Sequence, residues 1–342
     1  MSIPVGWDKD EPLYGLSFAN RTFDNANFSD QRDWTTRDGV WKEEKNPPLD
    51  GADFRGAVLK NMTFRGTSLR GACFDNAKLE NVRFESVDIV GASFQNLDAS
   101  GCLFVSVTGG NSSFIGSKFN TCGIKNSFFK HADFSDVVVE WSNFTNTNFE
   151  RANFHSLIAN RFEFVDNNAG FCNFRKIRIL ETTINKSFFT NSNFQNGIIV
   201  ASIIQHSKFN NCNFNEGGFG KCKIANSEFN NSTFVKAGFN DSETFNSWFS
   251  NGNFTQCNFT NSVHQESYFP GANIEGAILM FKKFAGCGTK GAHGQPAVLG
   301  QGFKIDKDGL ITKGLLSEII AGAKHGFREG MKDTKNKNKG RR

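Results

Sequence analysis

The sequence predicts an all-β chain wound as a quadrilateral β-helix, with a short helix after it. Three observations predict this. From Phe54 to Phe284 a centre residue recurs every five positions through 47 repeats, and 41 of those centres are Phe, Leu, Ile or Val, 28 of them Phe. Two residues before each centre the side chain is small, with Ala, Ser, Thr, Cys or Gly at 36 of the 47 positions. Stepping by 20 from Phe54 meets Phe74, Phe94 and so on to Phe254 and then Ile274, which supports a period of four repeats. A helical period or strict alternation fits none of this, and self-similarity at a fixed period is the mark of a solenoid.

The elements follow in chain order. Residues 1–51 hold three partial repeats centred on Phe18, Phe23 and Phe28, out of phase with the main array and separated from it by an insertion at 31–46. This segment is expected to cap the rod, with Trp34 and Trp41 covering the core or, as the alternative, forming a contact loop. Residues 52–286 form the β-helix. Each repeat is a short strand whose first and third residues point inward, then a polar turn. Three small centres, Ala99, Gly109 and Ala159, are each preceded two positions earlier by a larger residue, Leu97, Val107 and Leu157, which conserves core volume. Opposite charges succeed one another at the 20-residue step, as in Lys60–Glu80 and Lys130–Glu150, and read as solvated ladders.

Residues 287–313 read as a Gly-rich linker and a hairpin turning at Asp308-Gly309. Residues 314–333 read as a helix with Leu315, Leu316, Ile319, Ile320 and Phe327 on its apolar face, available to a partner, to a second copy or to the rod end. Residues 334–342 are a basic tail.

Several repeats carry a recognisable motif: Ala52-Asp53-Phe54-Arg55-Gly56, Ala132-Asp133-Phe134 and Ala152-Asn153-Phe154. They resemble the pentapeptide-repeat family, Ala-Asp/Asn-Leu/Phe-x-x, over residues 52–286 and the fragment at 16–30. The resemblance implies a right-handed coil with one repeat on each of four walls. About twelve coils at the ~4.8 Å strand spacing give a rod of roughly 55–60 Å.

Candidate chemistry is sparse. Cys102, Cys122, Cys172, Cys212, Cys222 and Cys257 occupy the small inward position and read as buried thiols, pointing to a reducing compartment. Thr244 and His264 are polar centres one coil apart, either a mutually bonded pair or an irregular surface patch. At Asn167-Asn168-Ala169-Gly170-Phe171 the centre is small without a large partner, and Phe171 is expected to fill the space. No nucleophile elbow, phosphate loop or metal-ligand spacing occurs, and a filled axis leaves no substrate cavity. No catalytic residue, metal or cofactor is expected.

The reading is therefore a non-catalytic protein–protein interaction scaffold. The resemblance implies two alternatives. One is a DNA-mimicking protein that protects or inhibits gyrase, against which stands the near-neutral body, with 21 basic and 19 acidic residues over 52–286. The other is a secreted bacterial effector targeted by its C-terminal region. A protein partner is expected, with a homodimer through the C-terminal helix as a further arrangement. Residues 287–342 carry 12 basic and 5 acidic residues, and the basic tail at their end could also contact nucleic acid or an anionic membrane. Residues 1–12 lack the apolar stretch of a secretory signal, so a bacterial cytoplasmic location is expected, with secretion as an effector the alternative.

Overall fold

A computed structural model describes residues 15–25, 27–29 and 49–313. The expectations at Trp34 and Trp41, and those for the helix bearing Leu315, Leu316, Ile319, Ile320 and Phe327 and for the tail, concern residues outside this set. Among the described residues every regular element is a strand.

Each coil of 20 residues lays one repeat on each of four walls. The first wall is centred on Phe54, the second on Leu59, the third on Phe64 and the fourth on Leu69. The second and third walls are parallel sheets of three-residue strands. The second-wall sheet has 10 strands, from Thr22–Asp24 to Gly218–Gly220, and the third-wall sheet has 13, from Asn27–Ser29 to Lys283–Ala285. The first and fourth walls are joined coil to coil by single bridges such as Asp53↔Cys73 and Ser68↔Asp88. The register is 20 residues throughout, for example Phe64↔Phe84 and Phe84↔Phe104.

The core is a set of ring stacks. Phe54 and Phe74 lie 4.6 Å apart between centroids with planes 7° apart, and the stack continues without a break to Phe254. Burying each ring contributes roughly 2–3 kcal/mol before chain entropy is subtracted. The N-terminal repeats are out of phase only in sequence. Phe18 stacks on Phe54 at 4.8 Å, and Phe23 and Phe28 stand in register with Leu59 and Phe64.

Local chemistry explains the motif. The residue after each repeat's outward turn adopts a left-handed backbone at every fifth position from Gly51 to Gly276, which favours Gly and Asn. The Asp or Asn before the centre accepts a hydrogen bond from the backbone two residues on, as Asp133 does from Ser135 N and Asn213 from Asn215 N. The small inward residue is often a hydroxyl because it bridges coils. Ser117 Oγ accepts from Leu97 N at 3.0 Å and donates to Phe94 O at 2.6 Å. Gly109 leaves room for a ring, since a Cβ there would lie 2.3 Å from Phe129 Cε1.

Two expectations are corrected. Phe171 does not fill the space beside Ala169; it sits on a corner, 55% exposed, because its own backbone is left-handed and turns the ring outward. The buried Asn167 side chain takes the inward position instead, donating to Phe144 O at 2.7 Å and accepting from Thr147 N. The expected linker after residue 286 is a further incomplete coil. Gly288 and His293 bridge to Tyr268 and Asn273, and Val298–Leu299 pairs with Ile278–Leu279. An antiparallel hairpin, Phe303–Ile305 with Ile311–Lys313, then closes this end. Ile311 is buried, its N donates to Thr289 Oγ1 at 2.8 Å, and Phe303 packs edge-on against Phe281.

Candidate functional site

Thr244 and His264 come together as the sequence suggests, but inside the core. The third-wall column runs Ile224, Thr244, His264, Phe284. Thr244 Oγ1 is 2.8 Å from His264 Nδ1 and 2.9 Å from Ser267 Oγ, and His264 Nε2 is 3.0 Å from Ser262 Oγ. Ser262 in turn donates to Phe259 O at 2.7 Å. One assignment satisfies every group: Nε2 carries the proton and donates to Ser262, while Thr244 donates to Nδ1. Phe259, Phe269, Phe281 and Phe284 surround the ring edge-on. Burial pushes the imidazole pKa down to about 3, so the ring is neutral. The pair is a closed packing network, not a surface patch.

The inward cysteines are equally enclosed. Burial pushes Cys172 and Cys212 up to about 12 and Cys222 up to about 11. Cys122 is held well above the ordinary thiol range beside Cys102, whose backbone N lies 3.4 Å from Cys122 Sγ. These groups are inert thiols. Among the described residues, no three His, Cys, Asp or Glu side chains are grouped to hold a metal ion.

The outer faces of the four walls differ chemically. The first wall is polar, with an Asn column at 153, 173, 193 and 213 in which Asn173 Nδ2 donates to Asn153 Oδ1 at 2.8 Å. The second wall carries exposed aliphatic residues in the middle of the rod. Ile158, Arg178 and Ile198 follow one another in register, beside Leu180 and Val200. Ile203 stands just past the corner on the third wall. That corner holds a ladder of its own, with Arg161 Cζ lying 4.4 Å over the Trp141 ring and Arg161 Nε bonded to Glu181 at 2.7 Å. Trp141 is 56% exposed in a left-handed conformation (φ 51°) that bulky residues adopt only at a cost. The fourth wall carries exposed aromatic rings: Phe128, Phe188, Trp248 and Tyr268.

The comparison with known families fits this geometry. The model for pentapeptide repeats matches 8 copies, at residues 49–85 and 129–159. Over these residues the chain carries pentapeptide repeats. The matched copies are a part of the unbroken array that the ring stacks and the 20-residue register define. No curated protein matches the sequence. Among solved structures, a trypsin-treated variant of QnrB1, a plasmid-mediated fluoroquinolone resistance protein, shares 15% identity over 63% of this chain and 82% of its own, with a TM-score of 0.33. HetL, a pentapeptide-repeat protein involved in heterocyst differentiation regulation in the cyanobacterium Nostoc sp. strain PCC 7120, shares 12% over 87% of this chain and 92% of its own, with a TM-score of 0.24. Likeness at this level says nothing about activity.

The exposed surface residues escape the five-residue rule, which constrains only inward positions. The signal was present as doublets in which an aromatic residue stands immediately before an aromatic centre: Phe128-Phe129, Phe188-Phe189, Trp248-Phe249 and Tyr268-Phe269.

Proposed function

We propose that this pentapeptide-repeat chain is a non-catalytic scaffold that binds a protein partner through the aliphatic face of its second wall. The observation that carries this reading is the cluster of Ile158, Leu180 and Ile198, exposed together in the middle of the rod at outward strand positions that the core does not require to be apolar. Arg178 stands between Ile158 and Ile198, so the partner is a folded protein offering an apolar face with a carboxylate opposite the guanidinium. Trp141, held by Arg161, supplies a ring at the edge of the patch. The filled axis supports a non-catalytic role, and the enclosed thiols support a reducing compartment such as the bacterial cytoplasm.

The test is site-specific photocrosslinking in cells. A crosslinker at position 198 is expected to trap one defined heterologous protein, whereas one at Asn193 on the first wall traps none. Leu180→Glu is expected to abolish the adduct and leave thermal unfolding unchanged, because the side chain is solvated. Equal trapping from both walls, or trapping of a second copy alone, would refute the reading.

Gyrase protection by DNA mimicry is the weaker reading. Acidic and basic side chains alternate along the columns, as in Lys60–Glu80, Arg65–Glu85 and Lys208–Glu228, and give no continuous acidic strip among the described residues. Purified protein is expected to leave gyrase supercoiling unaffected.

A further inference from the structure

The fourth wall carries a regularity that protein docking leaves unused. Phe128, Phe188 and Trp248 are spaced by 60 residues, three coils apart. Single bridges carry one straight column through Phe128, Asn148, Asn168, Phe188, Lys208, Glu228, Trp248 and Tyr268. Successive aromatic rungs therefore stand about 14 Å apart, three times the strand spacing. All three rings are exposed, Phe128 to 59%, and Trp248 is backed by Tyr268 at 5.6 Å with planes 17° apart. Nothing in the core requires them, since each precedes a Phe centre that already fills its layer.

Between the rings the face is polar and electrically balanced. Lys130 pairs with Glu150, and Lys208 with Glu228. Amide pairs flank two of the rings on the adjoining corner. Asn146 Nδ2 donates to Asn126 Oδ1 at 3.0 Å beside Phe128, and Asn246 Nδ2 to Asn226 Oδ1 at 2.8 Å beside Trp248. Each of these donors keeps a second N–H. A shallow groove along Phe128 is lined by Asn126, Asn146, Asn148, Asp166 and Asn168.

We infer that this wall binds an extended, neutral, β-1,4-linked polysaccharide lying along the rod. The coil spacing is close to the length of one pyranose unit in such a chain, so a ring meets roughly every third sugar. A pyranose presents an apolar C–H face, which packs on an aromatic ring, and a rim of hydroxyls, which suits amide donors and acceptors between the rings. A single-stranded nucleic acid would also stack on the rings, but its phosphates need an excess of positive charge that the paired Lys and Glu do not leave. A peptide adding as a β-strand would need a free sheet edge for its backbone, and this wall presents side chains. The inference concerns a different wall from the protein-binding patch and does not depend on it.

The test uses the full chain and two series of oligosaccharides, β-1,4-linked glucose and β-1,4-linked N-acetylglucosamine, three to eight units long, with Trp fluorescence and calorimetry as readouts. One series is expected to bind with a stepwise length dependence. Three units reach one ring, roughly four or five reach two, and seven reach three, each step tightening binding about tenfold, as for a base on an aromatic platform. Trp248→Ala is expected to remove the last step and Trp248→Phe to restore most of it. The variant with Ala at 128, 188 and 248 should lose binding yet unfold like the parent, while Leu180→Glu on the second wall should bind normally. Absence of binding by either series at millimolar concentration, affinity independent of length, full binding by the triple variant, or preference for a thymidine oligonucleotide would overturn the inference.

Discussion

His264 sets the acid sensitivity of the C-terminal coils. Its imidazole is neutral in the folded chain because burial lowers its pKa to about 3, against 6.5 for the free group. The sign follows from which state takes up the proton. Above pH 6.5 both states are neutral and the contribution is fully present. As pH falls, the unfolded chain protonates first, and stability is lost progressively down to about pH 3. Between pH 6.5 and 4.5 the loss is roughly 2–3 kcal/mol. Replacing Thr244 by Val and His264 by Phe together removes the titrating group, and Ser262 and Ser267 retain carbonyl acceptors at Phe259 and Gln265. The urea midpoint of the double variant is expected to change less between pH 6.5 and 4.5 than that of the parent. An identical slope in both would show that the imidazole is reached by water.

At the scale of the repeat, the corner carries strain wherever its residue is neither Gly nor Asn. Thr121 is β-branched at φ 54°. Thr121→Asn is expected to stabilise the chain by about 1 kcal/mol, the size of the left-handed penalty, read as a rise in melting temperature. The opposite case is Gly218, at φ +145° where the second-wall strands give way to single bridges. A Cβ there would lie 2.3 Å from Gly238 O, so Gly218→Ala is expected to lower the melting temperature. The walls, the period and the buried Phe columns were legible from the sequence because inward positions obey one simple rule of size and polarity. The continuation past residue 286 was not, since Thr289 replaces the large centre and Gly288 the residue before it while the backbone pairing is kept. The Thr244–His264 pair was legible as a contact, but its closure by Ser262 and Ser267 depends on hydroxyls that look like ordinary small inward residues. On the outer walls the charge ladders such as Lys60–Glu80 and Lys130–Glu150 were legible from the 20-residue step, whereas the exposed aliphatic and aromatic residues were not, because exposure makes no demand on residue type at every repeat.

Over the whole molecule, stability is carried by neighbouring coils, so the chain behaves as a one-dimensional stack. Truncating a mid-rod ring, Phe134→Ala, is expected to cost about 3–5 kcal/mol by opening a cavity between Phe114 and Phe154. Surface ion pairs such as Lys60–Glu80 contribute little by comparison and weaken with salt. Among the described coils, the 20-residue register fixes which outward side chains share a wall.

That coil can be tested by deletion. Removing residues 81–100 takes out one whole turn, joining Glu80 to Gly101 with every column intact. Removing residues 81–98 takes out all but two residues of the same turn and throws the later repeats out of register. Thermal unfolding followed by circular dichroism is expected to show a β-rich, cooperative transition within a few degrees of the parent for the first deletion, and its loss for the second. Equal tolerance of both, or equal collapse, would contradict a chain wound four repeats to the turn.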